Sequence, residues 1–206
     1  KEYVEMLAEL GYQDLVGTID QLEEEGQRED TRLRLNLKDR DPDDGMTDIA
    51  YEKGALFLKT LEEAAGRDTF DHFLKEYFET HKFQTISTPE FIDYLNEHLI
   101  EPNDLDISPS AWIYEPGLPA GVPVVSSTRF RAVEAQLEAF LDGGSASEVQ
   151  TEEWTTHEWL HFIRKLPEEL SVERMRELDE AFQLSQSGNS EILNAWFELA
   201  IYTGFA

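Results

Sequence analysis

The 206-residue chain contains no cysteine, which excludes a disulfide framework, a thiolate metal site and a cysteine nucleophile. It has no apolar run of membrane-spanning length and no signal segment, so it reads as a soluble, cytoplasmic chain without a membrane partner. Positive charge is scarce: 17 Lys and Arg stand against 44 Asp and Glu, a net charge of -27. Such a surface repels phosphate backbones and excludes nucleic acid as a partner. The acids are spread along the chain, the pattern of a solvated surface, although attraction of cationic substrates is the functional alternative. There is no glycine-rich phosphate loop and no Gly-x-Ser-x-Gly elbow. His72, His81 and His98 are scattered and make no ligand spacing. What is present suffices for a packed core, with 40% apolar and 11% aromatic residues.

Helical periodicity dominates. Lys1–Leu10 carries Tyr3, Val4, Met6, Leu7 and Leu10 at helical spacing, with Gly11 as its stop. Tyr12–Glu25 repeats the pattern with Leu15, Val16, Ile19 and Leu22. Thr31–Leu37 alternates Leu33, Leu35 and Leu37 with polar residues, which predicts a short extended segment. After Gly66, Phe70, Phe73, Leu74, Tyr77 and Phe78 share one helical face, an aromatic stripe of the core type. Ser87-Thr88-Pro89-Glu90 is a capping box that opens a helix over Phe91–Leu99. Pro102, Pro109, Pro116, Pro119 and Pro123, with Gly117 and Gly121, argue against helix and make 101–125 a linker. Beyond it, Thr128–Leu141, Thr151–Leu166, Ser171–Leu184 and Ser190–Tyr202 are amphipathic. Their short turns require antiparallel neighbours in a superhelix or bundle.

The stretch Asp48–Gly66 organises the chemistry. Wound as a helix, it gathers Gly54, Phe57, Leu58, Leu61, Ala64 and Ala65 on one arc and turns Glu52, Lys59 and Glu63 to water. Tyr51 stands in the first turn, where its phenol projects past the helix end. A phenol there can donate a hydrogen bond to a developing oxyanion. The simpler reading is a tyrosine packed at a helix start. The acidic loop before it, with Asp39, Asp41 and Asp43 two apart, is not an EF-hand, because Asp44 and Ala50 occupy the positions that need glycine and an acidic ligand.

DPDDGMTDIAYEKGALFLKTLEE resembles the Tyr-x-Lys-Gly segment of the zinc aminopeptidases of the aminopeptidase N and leukotriene A(4) hydrolase family. WIYEPGLP, Trp112–Pro119, resembles the linker leaving the catalytic domain in the hydrolase branch, and the helices from Trp154 resemble the start of that branch's C-terminal domain. The resemblance covers nearly the whole chain in the family's order. It implies that Tyr51 is catalytic, stabilising the tetrahedral intermediate, and that Asp43 lines the substrate cleft. The branch's epoxide-opening members carry a further tyrosine where this chain has Met46, which puts epoxide chemistry in doubt and leaves peptidase chemistry untouched.

His157-Glu158-Trp159-Leu160-His161 fits HExxH, in which two histidines one turn apart bind zinc and the glutamate is the base. Glu180 follows at the spacing of this family's third ligand. Trp159, Phe162, Ile163 and Leu166 form the buried face, however, which predicts His157 and His161 on the solvent side. Arg164 and Lys165 place two cations beside His161. In the family the zinc motif also precedes the tyrosine, whereas this string follows Tyr51. The set His157, Glu158, His161 and Glu180 is therefore read as a decoy, with a true zinc site the minor alternative.

The expected fold is mainly α. Residues 1–100 read as the C-terminal, helical part of a thermolysin-like catalytic domain, 101–125 as a Pro-rich linker, and 126–206 as the start of an armadillo- or HEAT-like α-helical domain. The resemblance implies a zinc aminopeptidase acting on peptides through their free N-terminus. The zinc would belong to the full-length enzyme and not to this piece, which would be inactive alone. Uncovered apolar faces would let it associate with itself. A free-standing, non-catalytic acidic helical binding module is the alternative.

Overall fold

Apolar residues recurring at three- and four-residue intervals make the chain helical, and the described residues contain no strand. The structure, a computed structural model, describes residues 1–123 and 125–205; Val124 in the Pro-rich segment and the terminal Ala206 lie outside the described residues. Two compact units emerge: Gly11–Val124, and Lys1–Leu10 together with Val125–Ala206.

The first helix, α1, runs unbroken from Glu2 to Glu24. Gly11 therefore does not end a helix, as the sequence suggested. The Glu52 carboxylate lies over that position, where a Cβ would make it move aside.

In the unit Gly11–Val124, a short 3-10 turn, Arg28–Thr31, leads into Thr31–Leu37. That segment keeps the expected alternation, with Leu33, Leu35 and Leu37 half-buried, but pairs into no sheet. Its Arg34 N–H donates to the Ile113 carbonyl (3.0 Å). A π turn, Ile49–Lys53, then feeds α2 (Gly54–Ala65), followed by α3 (Arg67–His81) and α4 (Thr88–Leu95). The predicted capping box opens α4: Ser87 N–H donates to the Glu90 carboxylate at 2.8 Å. Phe57 stacks on Trp112 with ring centroids 5.3 Å apart, and Phe73 packs on Tyr94. The aromatic stripe is core only in part, since Phe70 and Phe73 are buried while Phe78 is exposed. Leu58, too, lies on the exposed side of α2.

The Pro-rich segment also departs from expectation. It contains a helix, α5, from Pro109 to Tyr114. Ser108 caps it by accepting from Ala111 N–H at 3.3 Å, and Pro109 sits in the first turn, where no N–H is needed and the ring's fixed φ already suits a helix.

The other unit holds α6 (Thr128–Leu141), α7 (Thr156–Arg164), α8 (Val172–Phe182) and α9 (Ser190–Thr203). Val133, Leu137, Phe140, Phe162, Met175 and Trp196 are central to one continuous apolar core. Met6 and Leu10 pack with Phe130 in a smaller cluster. Helix α7 lies against both α6 and α9, and its contact with α6 decides the fate of His161. No described helix is long and apolar enough to cross a membrane.

Candidate active site

Tyr51 sits in the middle of the π turn, two residues from a buried position on either side. Ile49 is 2% exposed and Lys53 is fully buried, whereas Tyr51 is 69% exposed. The wide turn directs the two buried residues into the core and leaves the phenol outside it. Single π turns of this kind recur at functional sites because they re-aim a side chain without ending the helix. The placement agrees with the reading of Tyr51 as a projecting phenol and not with the simpler reading of a packed one.

Lys53 anchors the turn. Its Nζ donates to the backbone carbonyls of Thr31 (2.9 Å) and Glu115 (3.0 Å), two segments distant in sequence. Burial lowers its pKa to about 8, with Arg32 acting in the same direction and Glu115 against it. The platform is itself fixed. The Thr31 hydroxyl donates to the Arg28 carbonyl (2.7 Å) and accepts from Gly117 N–H (2.7 Å). Composition and periodicity gave no sign of this knot, because a lysine in an acidic helix reads as a solvated charge. The one available signal was its place in the Tyr-x-Lys-Gly string.

The acidic loop is tied to the same 3-10 turn. Asp30, next to Thr31, accepts both Arg40 Nη1 (2.7 Å) and Nη2 (2.6 Å). This two-pronged bond with Arg40 holds the Asp30 carboxyl below its ordinary range, against the effect of burial. Arg40 is thereby fixed at the loop's start, and Asp41 caps the short turn Pro42–Gly45 by accepting from Asp43 N–H (3.0 Å). Leu35 and Leu37 press so closely under Gly45 that a Cβ there would meet Leu35 Cδ1 at 2.8 Å. Asp43 and Met46 are both exposed on this loop. Through Asp30 and Thr31, one turn thus fixes both the loop carrying Asp43 and the turn carrying Tyr51. A cavity of about 350 Å³ in this unit, lined by Thr60, Asp106, Trp112 and Pro119 among others, includes neither.

Glu52, expected to face water, is half-buried against Gly11. Burial raises its pKa, and the nearby Asp14 and Asp48 raise it further.

The residues of the HExxH string lie in the other unit, and their surroundings correct the expectation. His161 is fully buried and not on a solvent face, because α6 brings Phe130 and Glu134 against it. Its ring stacks on Phe130 at a centroid distance of 4.1 Å, and its Nε2 lies 3.2 Å from Glu134 Oε1. Burial lowers the His161 pKa; Glu134 opposes this, while Lys165 and Arg164 reinforce it. Glu158 is buried as well. It accepts from Thr155 N–H (2.9 Å) and the Thr155 hydroxyl in a capping box, and pairs with Arg129. Burial pushes the Glu158 carboxyl up, but the Thr155 donors and Arg129 together hold it low. His157 is half-buried and stands edge-on to Tyr3 at 5.1 Å.

The structure does not gather the four residues of the string as one ligand set. Among the described residues, one group of three potential ligands has its atoms within 4.8 Å of one another, and it comprises Glu9, Glu134 and His161. His157, Glu158 and Glu180 are not in it. Glu9 is already engaged, accepting from Ser127 N–H at 2.6 Å. Burial raises its pKa, with that bond and the nearby Lys165 and Arg131 countering.

Residues 8–112 match the model of the peptidase family M1 domain, and residues 154–206 match that of the leukotriene A4 hydrolase C-terminal domain. Leucine aminopeptidase 2 of Candida albicans is 33% identical over 84% of this chain and 30% of its own length. Leucine aminopeptidase 2-2 of Meyerozyma guilliermondii is 31% identical over 93% of this chain and 32% of its own. The chain thus spans about a third of the length of these relatives. A yeast leukotriene A4 hydrolase solved with bestatin superposes with a TM-score of 0.75 over 99% of this chain and 37% of its own, at 22% identity. At that identity the likeness establishes the mainly α fold alone.

Proposed function

Because the chain belongs to peptidase family M1, we propose that the protein it forms part of is a zinc-dependent aminopeptidase removing N-terminal residues from peptides. Within that enzyme, residues 1–100 belong to the catalytic domain, 101–125 to a linker and 126–206 to a helical domain. The two family matches, at 8–112 and 154–206, support that order.

One observation carries the reading: the exposed phenol of Tyr51 stands on a π turn whose first and last residues, Ile49 and Lys53, are buried. When a nucleophile adds to the peptide carbonyl, negative charge collects on its oxygen. The Tyr51 O–H donates a hydrogen bond to that oxygen, a bond stronger in the transition state than to the neutral carbonyl. Asp43, exposed on the anchored loop, contacts the substrate. Met46 stands at the position of the second tyrosine, which argues against epoxide-opening chemistry and leaves peptidase chemistry untouched. The zinc of the full-length enzyme would be held by residues other than the HExxH side chains here, which make a helix cap, an ion pair and ring packing. The chain alone is accordingly inactive.

Tyr51→Phe in the full-length protein is the test. Turnover of an aminoacyl amide should fall about 10²–10³-fold with KM nearly unchanged. Near-normal turnover would refute the assignment.

A further inference from the structure

A buried lysine is costly to keep charged, and the lowered pKa of Lys53 shows that cost. An apolar residue would fill the same volume without it. What an ammonium supplies and an apolar side chain does not is several donors on one atom, able to bridge two acceptors that belong to different parts of the chain. Lys53 does this with the carbonyls of Thr31 and Glu115. Both acceptors are backbone atoms, so neither can rotate away. Thr31 is further locked by its hydroxyl bonds to Arg28 and Gly117. Lys53 closes the π turn in which Tyr51 lies two residues earlier, and Gly54 N–H bonds back to the Tyr51 carbonyl. A shift at Lys53 is therefore transmitted directly to the backbone of Tyr51.

We propose that Lys53 is the positioning residue for Tyr51: by tying the π turn to the carbonyls of Thr31 and Glu115, it sets where the phenol meets the substrate. This rests on the reading of Tyr51 as the oxyanion donor. The aim of a hydrogen-bond donor is sensitive to small displacements, and a misplacement of about 1 Å can cost on the order of 10²-fold in rate.

The test is a double-substitution cycle in the full-length enzyme, comparing Lys53→Met, Tyr51→Phe and the pair, with kcat and KM measured separately. Lys53→Met should lower kcat by about 10-fold or more with little change in KM, and should add almost nothing once Tyr51 is Phe. Lys53→Gln, which keeps a donor, should recover part of the loss, and it carries the cycle should the methionine variant not fold. Equal losses with and without the phenol would make Lys53 a general support of the fold and overturn the proposal. A normal Tyr51→Phe enzyme with an impaired Lys53→Met enzyme would remove the oxyanion reading instead, and the proposal with it.

Discussion

Both compact units bury charge, but they satisfy it differently. In Gly11–Val124, Lys53 is held by backbone carbonyls of two remote segments. In the helical unit, Glu158 and His161 are held mainly by side chains, from Arg129 and Thr155 for the one and Glu134 for the other. Side-chain partners satisfy a charge while the helices keep whatever spacing their apolar cores dictate. Backbone partners fix the main chain itself. The first arrangement lets an aromatic helical array absorb polar residues; the second sets the path of a turn and whatever side chain that turn presents. The lesson extends to motifs: the string that matched a metal site in full is occupied with structural tasks, whereas a four-residue motif coincides with the anchored turn.

The largest effect that would break this comparison lies in the pH dependence of Lys53. Its folded pKa of about 8 lies below the ordinary 10.5. Between those values the unfolded chain binds more protons than the folded one, so stability rises with pH. The penalty is fully present below pH 8 and gone above pH 10.5. Relative to Lys53→Met, which lacks the titration, the wild-type chain should gain about 3 kcal/mol across that window in urea unfolding. A flat difference would mean that folding does not lower the Lys53 pKa and that keeping the ammonium there carries no net cost.

Next in size is Glu158. Glu158→Ala removes a cap and the partner of Arg129, and should destabilise the helical unit by about 2–3 kcal/mol. A change below about 0.5 kcal/mol would show that the carboxylate has no structural task and reopen its role as a base. Smallest is the loop anchor: Asp30→Asn should cost about 1–2 kcal/mol at neutral pH. Because the Asp30 pKa is held below 3.8, this contribution is present above that value and disappears as pH falls through the lower folded one. A loss that persists undiminished in strong acid would assign the effect to packing and not to the ion pair.

Much of the helical layout was legible in the sequence. Thr128–Leu141 and the Ser87–Glu90 capping box follow from apolar period and capping residues, which are local properties. The misreadings come from contacts that local pattern does not carry, and a helical wheel in addition assumes a single buried face. Helix α6 brings Phe130 and Glu134 against α7, so His161 is buried where one-sided reasoning exposes it. Gly11 reads as a stop because glycine often ends helices, but the Glu52 carboxylate that lies over it comes from a remote part of the sequence. The same holds for Lys53, whose acceptors at Thr31 and Glu115 no local pattern announces. Tyr51 was legible through its motif and its place at a helix start, while the π turn that presents it was not.

The central claim, that this chain contributes a phenol and not a metal site, is tested most directly by measuring turnover and bound zinc together in full-length Tyr51→Phe and His157→Ala. The account predicts that Tyr51→Phe keeps its zinc and loses about 10²–10³ in turnover, while His157→Ala keeps both. Loss of zinc from His157→Ala, or unimpaired turnover in Tyr51→Phe, would contradict it.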